Sequence, residues 1–292
     1  MAIPENPIPD LTEGKPPRPR RWIPVSLKMY LGILGILGVF AVCIGARIWR
    51  RQTAFAEIDR VHGSVRVAAG RLPWLRRQLG NHNSRVLGRV EFIGLAGKAT
   101  DDTLQKIASL NDVQEMVIGA SKITDGAMEY VGMMDGLEDL ILSNTRITDA
   151  GFAHLTRLRN LQIIRLDDTL ITDAGFAHLG KITSLRSLHL HRLPVGDGAV
   201  QHLAVLPNLE SLWLGQTRVT DAGLASLKEM KTLQKLELCG TRVTDAGLQH
   251  LKGLTNLKYL GLSRTHVTDD GIVELKAALP GIKVMPNVRI MN

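Results

Sequence analysis

The chain has 292 residues, of which 45% are hydrophobic and only 4% aromatic, and it carries a formal net charge of +8. That charge is not the footprint of a nucleic-acid binder: residues 100 to 292 hold 20 Lys or Arg against 22 Asp or Glu, whereas residues 47 to 99 hold 11 against 3 and residues 1 to 28 hold 5 against 3. Two cysteines placed far apart, Cys43 and Cys239, exclude a disulfide framework.

Residues 1 to 24 are Pro-rich and charged, the composition of a disordered tail. Residues 25 to 48 follow as a predicted transmembrane helix, because Met29 to Ala46 carry no charge over 18 residues, at the short end of a bilayer span. Lys28 can snorkel, Trp22, Tyr30 and Trp49 mark the interfaces, and the flanking basic residues suit lipid headgroups. Cleavage as a signal peptide is disfavoured, since the small residues Ala54 and Ala56 come only after Arg47, Arg50 and Arg51. Val42 before Cys43 likewise disfavours lipoprotein processing. The basic residues tie across the span. A short tail tends to stay inside while a long domain can translocate, so a single-pass cell-membrane protein with a cytoplasmic N-terminus and exported repeats is expected.

Residues 49 to 96 do not share the pattern that follows. Gln52 to Val61 predicts a short helix, Ser64 to Val67 a strand, Pro73 to Leu79 a second helix, and Val90 with Phe92 a last strand. A stacked array exposes an apolar layer at its end, so this stretch is read as a juxtamembrane N-terminal cap.

From 97 to 284 the sequence repeats. Thr217 to Leu227 (TRVTDAGLASL) returns 24 residues later as Thr241 to Leu251 (TRVTDAGLQHL), and the same ruler finds Asp at 101, 125, 149, 173, 197, 221, 245 and 269. Thr precedes each of them except Asp197, which follows Gly196. Within one copy the period changes. Leu140 and Leu142 alternate as on a strand, whereas Phe152 and Leu155 keep helical spacing, and Thr148 or Asp149 is placed to cap the helix between them. About eight strand, loop and helix units are predicted, closed by a tail over 285 to 292.

This pattern resembles the leucine-rich repeat family, in particular its 24-residue bacterial variety, in which Thr145, Thr169, Thr217, Thr241 and Thr265 stand where Asn is usual. The resemblance implies an α/β solenoid with a curved parallel sheet on its concave side, short helices on its convex side, and partners bound on the sheet. Strand packing at ~4.8 Å against ~10 Å for helices accounts for such curvature.

Residues alternating with the buried leucines would face that sheet surface. One column runs Val117, Ile141, Arg165, His189, Trp213, Glu237, Gly261, and a second Gly119, Ser143, Asp167, His191, Gly215, Cys239, Ser263. The candidate binding patch is Arg165, Asp167, His189, His191 and Trp213, with Asp168, Arg192 and Gln216 at its rim. An aromatic ringed by charges is the composition of an interaction hot spot. No nucleophile motif accompanies it, and no catalytic residue, cofactor or metal is assigned. His154, His178, His202 and His250 form a column on successive helices, ~10 Å apart by helix packing and too far for ligands that stand ~2 Å from zinc. The expected role is non-catalytic binding of a protein or an envelope polymer. The rival is a structural, self-associating envelope protein without a dedicated ligand.

Overall fold

The structure, a computed structural model, describes residues 27–68, 86, 88–95 and 97–285, with side chains from residue 35 onward. The Pro-rich tail, Trp22, the Tyr30 side chain, the helix expected over 73–79 and the tail beyond Met285 lie outside the described residues. Two compact units are distinguished, residues 1–46 and 47–292.

Helix α1 runs unbroken over Leu27–Arg60, so the two helices expected on either side of residue 49 are one. The reason is local: Arg47 to Thr53 contain neither Gly nor Pro, and nothing there stops a helix already begun. In the first unit, every residue from Gly35 to Ala46 is exposed, with Ile36 at 70%, Phe40 at 63% and Val42 at 71%. Among the described residues no helix is long and apolar enough to cross a membrane. The span predicted over 25–48 is therefore not shown as one, and part of its apolar run, residues 29–34, has no described side chains.

The second unit begins with the last turns of α1, where Ala54, Phe55, Ile58 and Val61 are buried. Of the basic residues read in the sequence as headgroup partners, Arg51 is used internally instead, and Arg60, still exposed, pairs within its own helix. Arg51 is buried, donates from Nη1 to both carboxylate oxygens of Asp112 at 3.1 Å, and reaches the Gly88 carbonyl. Arg60 donates to the buried carboxylate of Glu57, which also accepts from Thr103 and Lys106. A helix that follows an apolar segment thus fastens to the first repeats through ions that composition alone assigns to the membrane.

The hydrogen bond from Arg60, aided by Lys106 and Thr103, holds the Glu57 carboxyl at about 2, well below its usual 4.5 and against the opposing effect of burial. A depressed carboxylate stabilises the fold above the unfolded value and stops doing so as pH falls through the folded one. The stability difference between the wild type and Glu57→Gln, measured by denaturant unfolding, is therefore expected to be full above pH 4.5 and to vanish as pH approaches 2. A difference that stays constant over that window would show that the charge of Glu57 does not fasten the cap.

Among the described residues ten strands form one sheet in chain order: β1 (Ser64–Val67), β2 (Val90–Leu95), β3 (Glu115–Ile118), β4 (Asp139–Ile141), β5 (Ile163–Arg165), β6 (Ser187–His189), β7 (Ser211–Trp213), β8 (Lys235–Glu237), β9 (Tyr259–Gly261) and β10 (Lys283–Met285). β1 and β2 are antiparallel and every later pair is parallel. In β2 the buried residues are Val90, Ile93 and Leu95; Phe92 instead faces the Arg66 guanidinium, 5.0 Å from its ring centre. The strand leucines of successive units, such as Leu188, Leu212, Leu236 and Leu260, are fully buried against one another. Two units, with Phe152 and Phe176 meeting at 5.6 Å, wind part or all of their helix as 3-10 rather than α.

The recurring Asp does more than start a helix. Asp125 accepts from the backbone N–H of Thr148 at 2.8 Å and from its hydroxyl at 2.6 Å, joining each unit to the next. The same double bond joins Asp101 to Thr124, Asp149 to Thr172, Asp197 to Thr220, Asp221 to Thr244 and Asp245 to Thr268. Where Gly196 replaces Thr, only the bond from the Gly196 backbone N–H to Asp173 remains. Thr caps its own helix in several units, for instance Thr220 to the Ala222 N–H at 3.3 Å. Of the two capping candidates it is Thr that caps in these units, while Asp makes the link between neighbours. Thr145, Thr217, Thr241 and Thr265 bond the carbonyl three residues back, closing their own loops.

Candidate functional site

The face of the sheet opposite the helices carries the side chains that alternate with the buried leucines. Strand register aligns Arg165 with His189, His189 with Trp213, Trp213 with Glu237 and Glu237 with Gly261, the column read from the sequence. Short strands in a parallel ladder repeat one side-chain direction at each 24-residue step, so positions far apart in sequence become neighbours.

Rings dominate the middle of this row. His189 stacks on Trp213 with centroids 5.2 Å apart and planes 10° from parallel, and His191 meets the same indole at 6.3 Å. Tyr259 approaches Trp213 from the other side at 6.0 Å. Burial, helped by the Arg165 charge, lowers the His189 pKa to about 4, so its imidazole is neutral at physiological pH and stacks without a charge.

The charged members hold the loops beside these rings. Asp167 accepts the His191 backbone N–H at 2.9 Å, and Asp168 receives Nε and Nη2 of Arg192 at 2.8 and 2.5 Å. Asp168, Arg192 and Gln216 all have positive φ, of 58°, 58° and 56°, at the same turn of successive units. Gln216 and Arg192 are exposed, while Asp168 is half-buried. Asp167, Arg165, His189, His191 and Trp213 are thus brought together, and Asp168, Arg192 and Gln216 form the loop edge next to them.

Three participants are absent from the sequence-based patch. Glu237 is only 6% exposed; its Oε1 accepts the Cys239 backbone N–H at 2.9 Å, and its Oε2 lies 3.6 Å from His191 Nδ1 with no hydrogen-bond donor among the described residues. Gly215 lets both side chains pack directly against the backbone, because a Cβ there would stand 2.6 Å from Glu237 Oε2 and closer still to His191. Tyr259 belongs to a third column, Glu115, Asp139, Ile163, Ser187, Ser211, Lys235, Tyr259, two residues ahead of the central one. The 24-residue ruler moved two positions upstream finds it. Burial and the neighbouring Glu237 push the Cys239 thiol up to about 11, which leaves it protonated and a poor nucleophile.

Among the described residues no three His, Cys, Asp or Glu side chains are grouped to hold a metal ion. His189 is engaged by Trp213 and by the Ser187 hydroxyl at 3.3 Å, and Asp167 by the His191 backbone. What the arrangement offers chemically is a row of aromatic rings beside a buried carboxylate, edged by the Asp168–Arg192 ion pair.

No curated protein matches the sequence. Among solved structures, the chain resembles an internalin C2 of Listeria monocytogenes with a TM-score of 0.57 at 21% identity, over 70% of this chain and 82% of that one. An internalin from the same organism (inlF) aligns with a TM-score of 0.46 at 21% identity, over 73% of each chain. The family model described as Leucine Rich repeat matches residues 253–276, one unit of the array. With that unit recognised and its neighbours stacked on it in a single parallel ladder, the fold of this chain is the leucine-rich repeat solenoid.

Proposed function

We propose that this chain is a membrane-anchored, non-catalytic binding protein that presents the open sheet face to a protein partner. The observation that carries the reading is the cluster of Trp213, His189, His191 and Tyr259 beside Arg165 and Glu237 on the open face. Aromatic and Arg anchors dominate binding energy where they sit together in a partly desolvated centre. The internalin likeness supplies the scaffold and nothing about the partner.

The anchor rests on α1, whose residues Ile36 to Ile44 expose apolar groups all around rather than along one stripe. A helix apolar on every side has no single packing face and fits hydrocarbon better than a groove. The uncharged run from Met29 to Ala46 then gives the span. In this reading the short N-terminal tail stays in the cytoplasm and the long repeat domain is exported.

One preparation tests both halves. The protein is expected to stay with membranes through a high-salt wash and leave only with detergent. From that extract, partners cross-linked to the wild type are expected to be lost from a folded Arg165→Ala/Trp213→Ala variant. Release by salt alone would remove the anchor, and an unchanged set of partners would remove the binding face.

A further inference from the structure

We infer that His191 and Glu237 form a proton-operated bridge across Gly215, closed when the imidazole carries its second proton and released when it does not, which sets how firmly the flank of Trp213 is held. Its effect on a partner rests on the reading of the open face as a binding surface; the bridge itself does not.

The two side chains come from units that are not neighbours. His191 follows β6 and Glu237 ends β8, and they meet because the unit between them has Gly215 at the meeting point, where a Cβ would stand 2.6 Å from Glu237 Oε2 and closer still to His191 Nδ1. The contact is packed: Glu237 is 6% exposed, its Oε1 accepts the Cys239 N–H, and its Oε2 is buried with no hydrogen-bond donor among the described residues. His191 Nδ1 stands 3.6 Å from Oε2, too long for a hydrogen bond and short enough that about half an ångström of ring movement makes one.

A buried carboxylate oxygen left without a donor is costly, and a proton is what this contact lacks. A neutral imidazole has one N–H, whereas the imidazolium donates from both nitrogens, so protonation puts a donor on Nδ1 whichever tautomer the neutral ring adopts. The bond then formed to Oε2 is charge-assisted. The His191 side chain is 34% exposed, so solvent supplies the proton.

The neighbouring charges leave this role to His191. On the β5 side, Asp167 accepts the His191 backbone N–H and Arg165 brings a positive charge; the Arg192 guanidinium is held by Asp168, and Lys235 stands exposed two residues before Glu237. His189 is held to about 4 by burial and by Arg165, so it stays neutral down to about pH 5.5. Burial and Glu237 push the Cys239 thiol up to about 11, and burial raises the Tyr259 phenol as well, so both stay neutral up to about pH 8. Between those limits imidazole is the side chain whose charge ordinarily changes.

A closed bridge ties the β6 and β8 units together across β7, whose Trp213 ring centre lies 6.3 Å from that of His191. A face held in one arrangement binds with less ordering cost. Acid closes the bridge and tightens the face, and the contribution is lost as pH rises and the imidazole gives up its proton.

The test uses the full chain in detergent with Trp22→Phe, Trp49→Phe and Trp74→Phe, which leaves Trp213 as the sole indole. A protonated imidazole beside an indole quenches its emission. Trp213 emission is therefore expected to fall as pH is lowered from about 8 to about 5.5, and to stay flat in His191→Gln. In Glu237→Gln, checked by thermal unfolding, the fall is expected at a pH lower by about one unit or more, since the carboxylate no longer favours the cation. Exchange of the Cys239 amide reads the bridge in the natural chain: corrected for the intrinsic pH dependence of exchange, its protection is expected to rise as pH falls across the same window. A fall in emission that survives in His191→Gln, an unchanged midpoint in Glu237→Gln, or Cys239 protection indifferent to pH would overturn the inference. Coupling to binding is shown by more cross-linked partner at the acid end from the wild type and equal amounts at both ends from His191→Gln. If Arg165→Ala/Trp213→Ala loses its partners while Trp213 emission ignores pH, the binding face stands and the bridge falls.

Discussion

Asp221→Ala is expected to destabilise the repeat array by about 2 kcal/mol, because it deletes two charge-assisted bonds worth more than neutral ones. The carboxylate accepts from the Thr244 N–H at 2.8 Å and the Thr244 hydroxyl at 2.7 Å, and both donors belong to the following unit. Asp173 occupies the same place in its own helix but joins the next unit through a single bond, from the Gly196 N–H. If Asp acted only on the helix dipole, Asp221→Ala and Asp173→Ala would cost the same, a few tenths of a kcal/mol up to about 1. If it joins neighbours, Asp221→Ala is the costlier. Denaturant unfolding of the two variants decides, and equal losses would return Asp to the role of helix starter.

Gly247 sharpens the same experiment. A Cβ there would collide with Asp221 Oδ1 and press on Leu224, so Gly247→Ala forces the Asp221 carboxylate away from Thr244. Residues acting through one contact are not additive. The loss from Gly247→Ala is accordingly smaller in an Asp221→Ala background than in the wild type, measured as a double-mutant cycle.

These residues show what periodicity reveals and what it hides. The 24-residue ruler gives the strands, the buried leucines and the central open-face column, because each depends on one side chain repeating its direction at each step. It places Arg165, His189 and Trp213 in one row without coordinates. The Asp to Thr link spans 23 residues and needs the stacking distance between layers, which no single unit contains. Glu237 was legible as a column member but not as a buried one, since the groups that stand against it, His191 and Gly215, belong to other units. Arg51 was misread for a related reason: composition sees a cation beside an apolar run, while Asp112, 61 residues away, decides what that cation does.

Arg51 also sets the second large expectation, in which Arg51→Ala costs about 3 to 5 kcal/mol at the cap, the usual penalty for breaking a buried ion pair by removing one partner. Its guanidinium is 7% exposed and the Asp112 side chain 25%, so the stranded carboxylate is only partly reached by water. Asp112 would keep the Val90 N–H at 3.0 Å, which places the loss at the low end of that range. In a solenoid each layer is supported mainly by its neighbours, so the damage is local to the first layers and does not spread evenly. Hydrogen exchange is expected to speed up in Gln52–Arg60, β1 and β2 while the amides of β6 to β9 keep their protection. Uniform acceleration along the array would show that Arg51 holds the whole fold, and no acceleration would show that the burial of Phe55 and Ile58 fastens α1 without it. In the first case the binding face would depend on the cap; in the expected one, Arg51→Ala loosens the attachment of α1 to the repeats and leaves the Trp213 cluster intact.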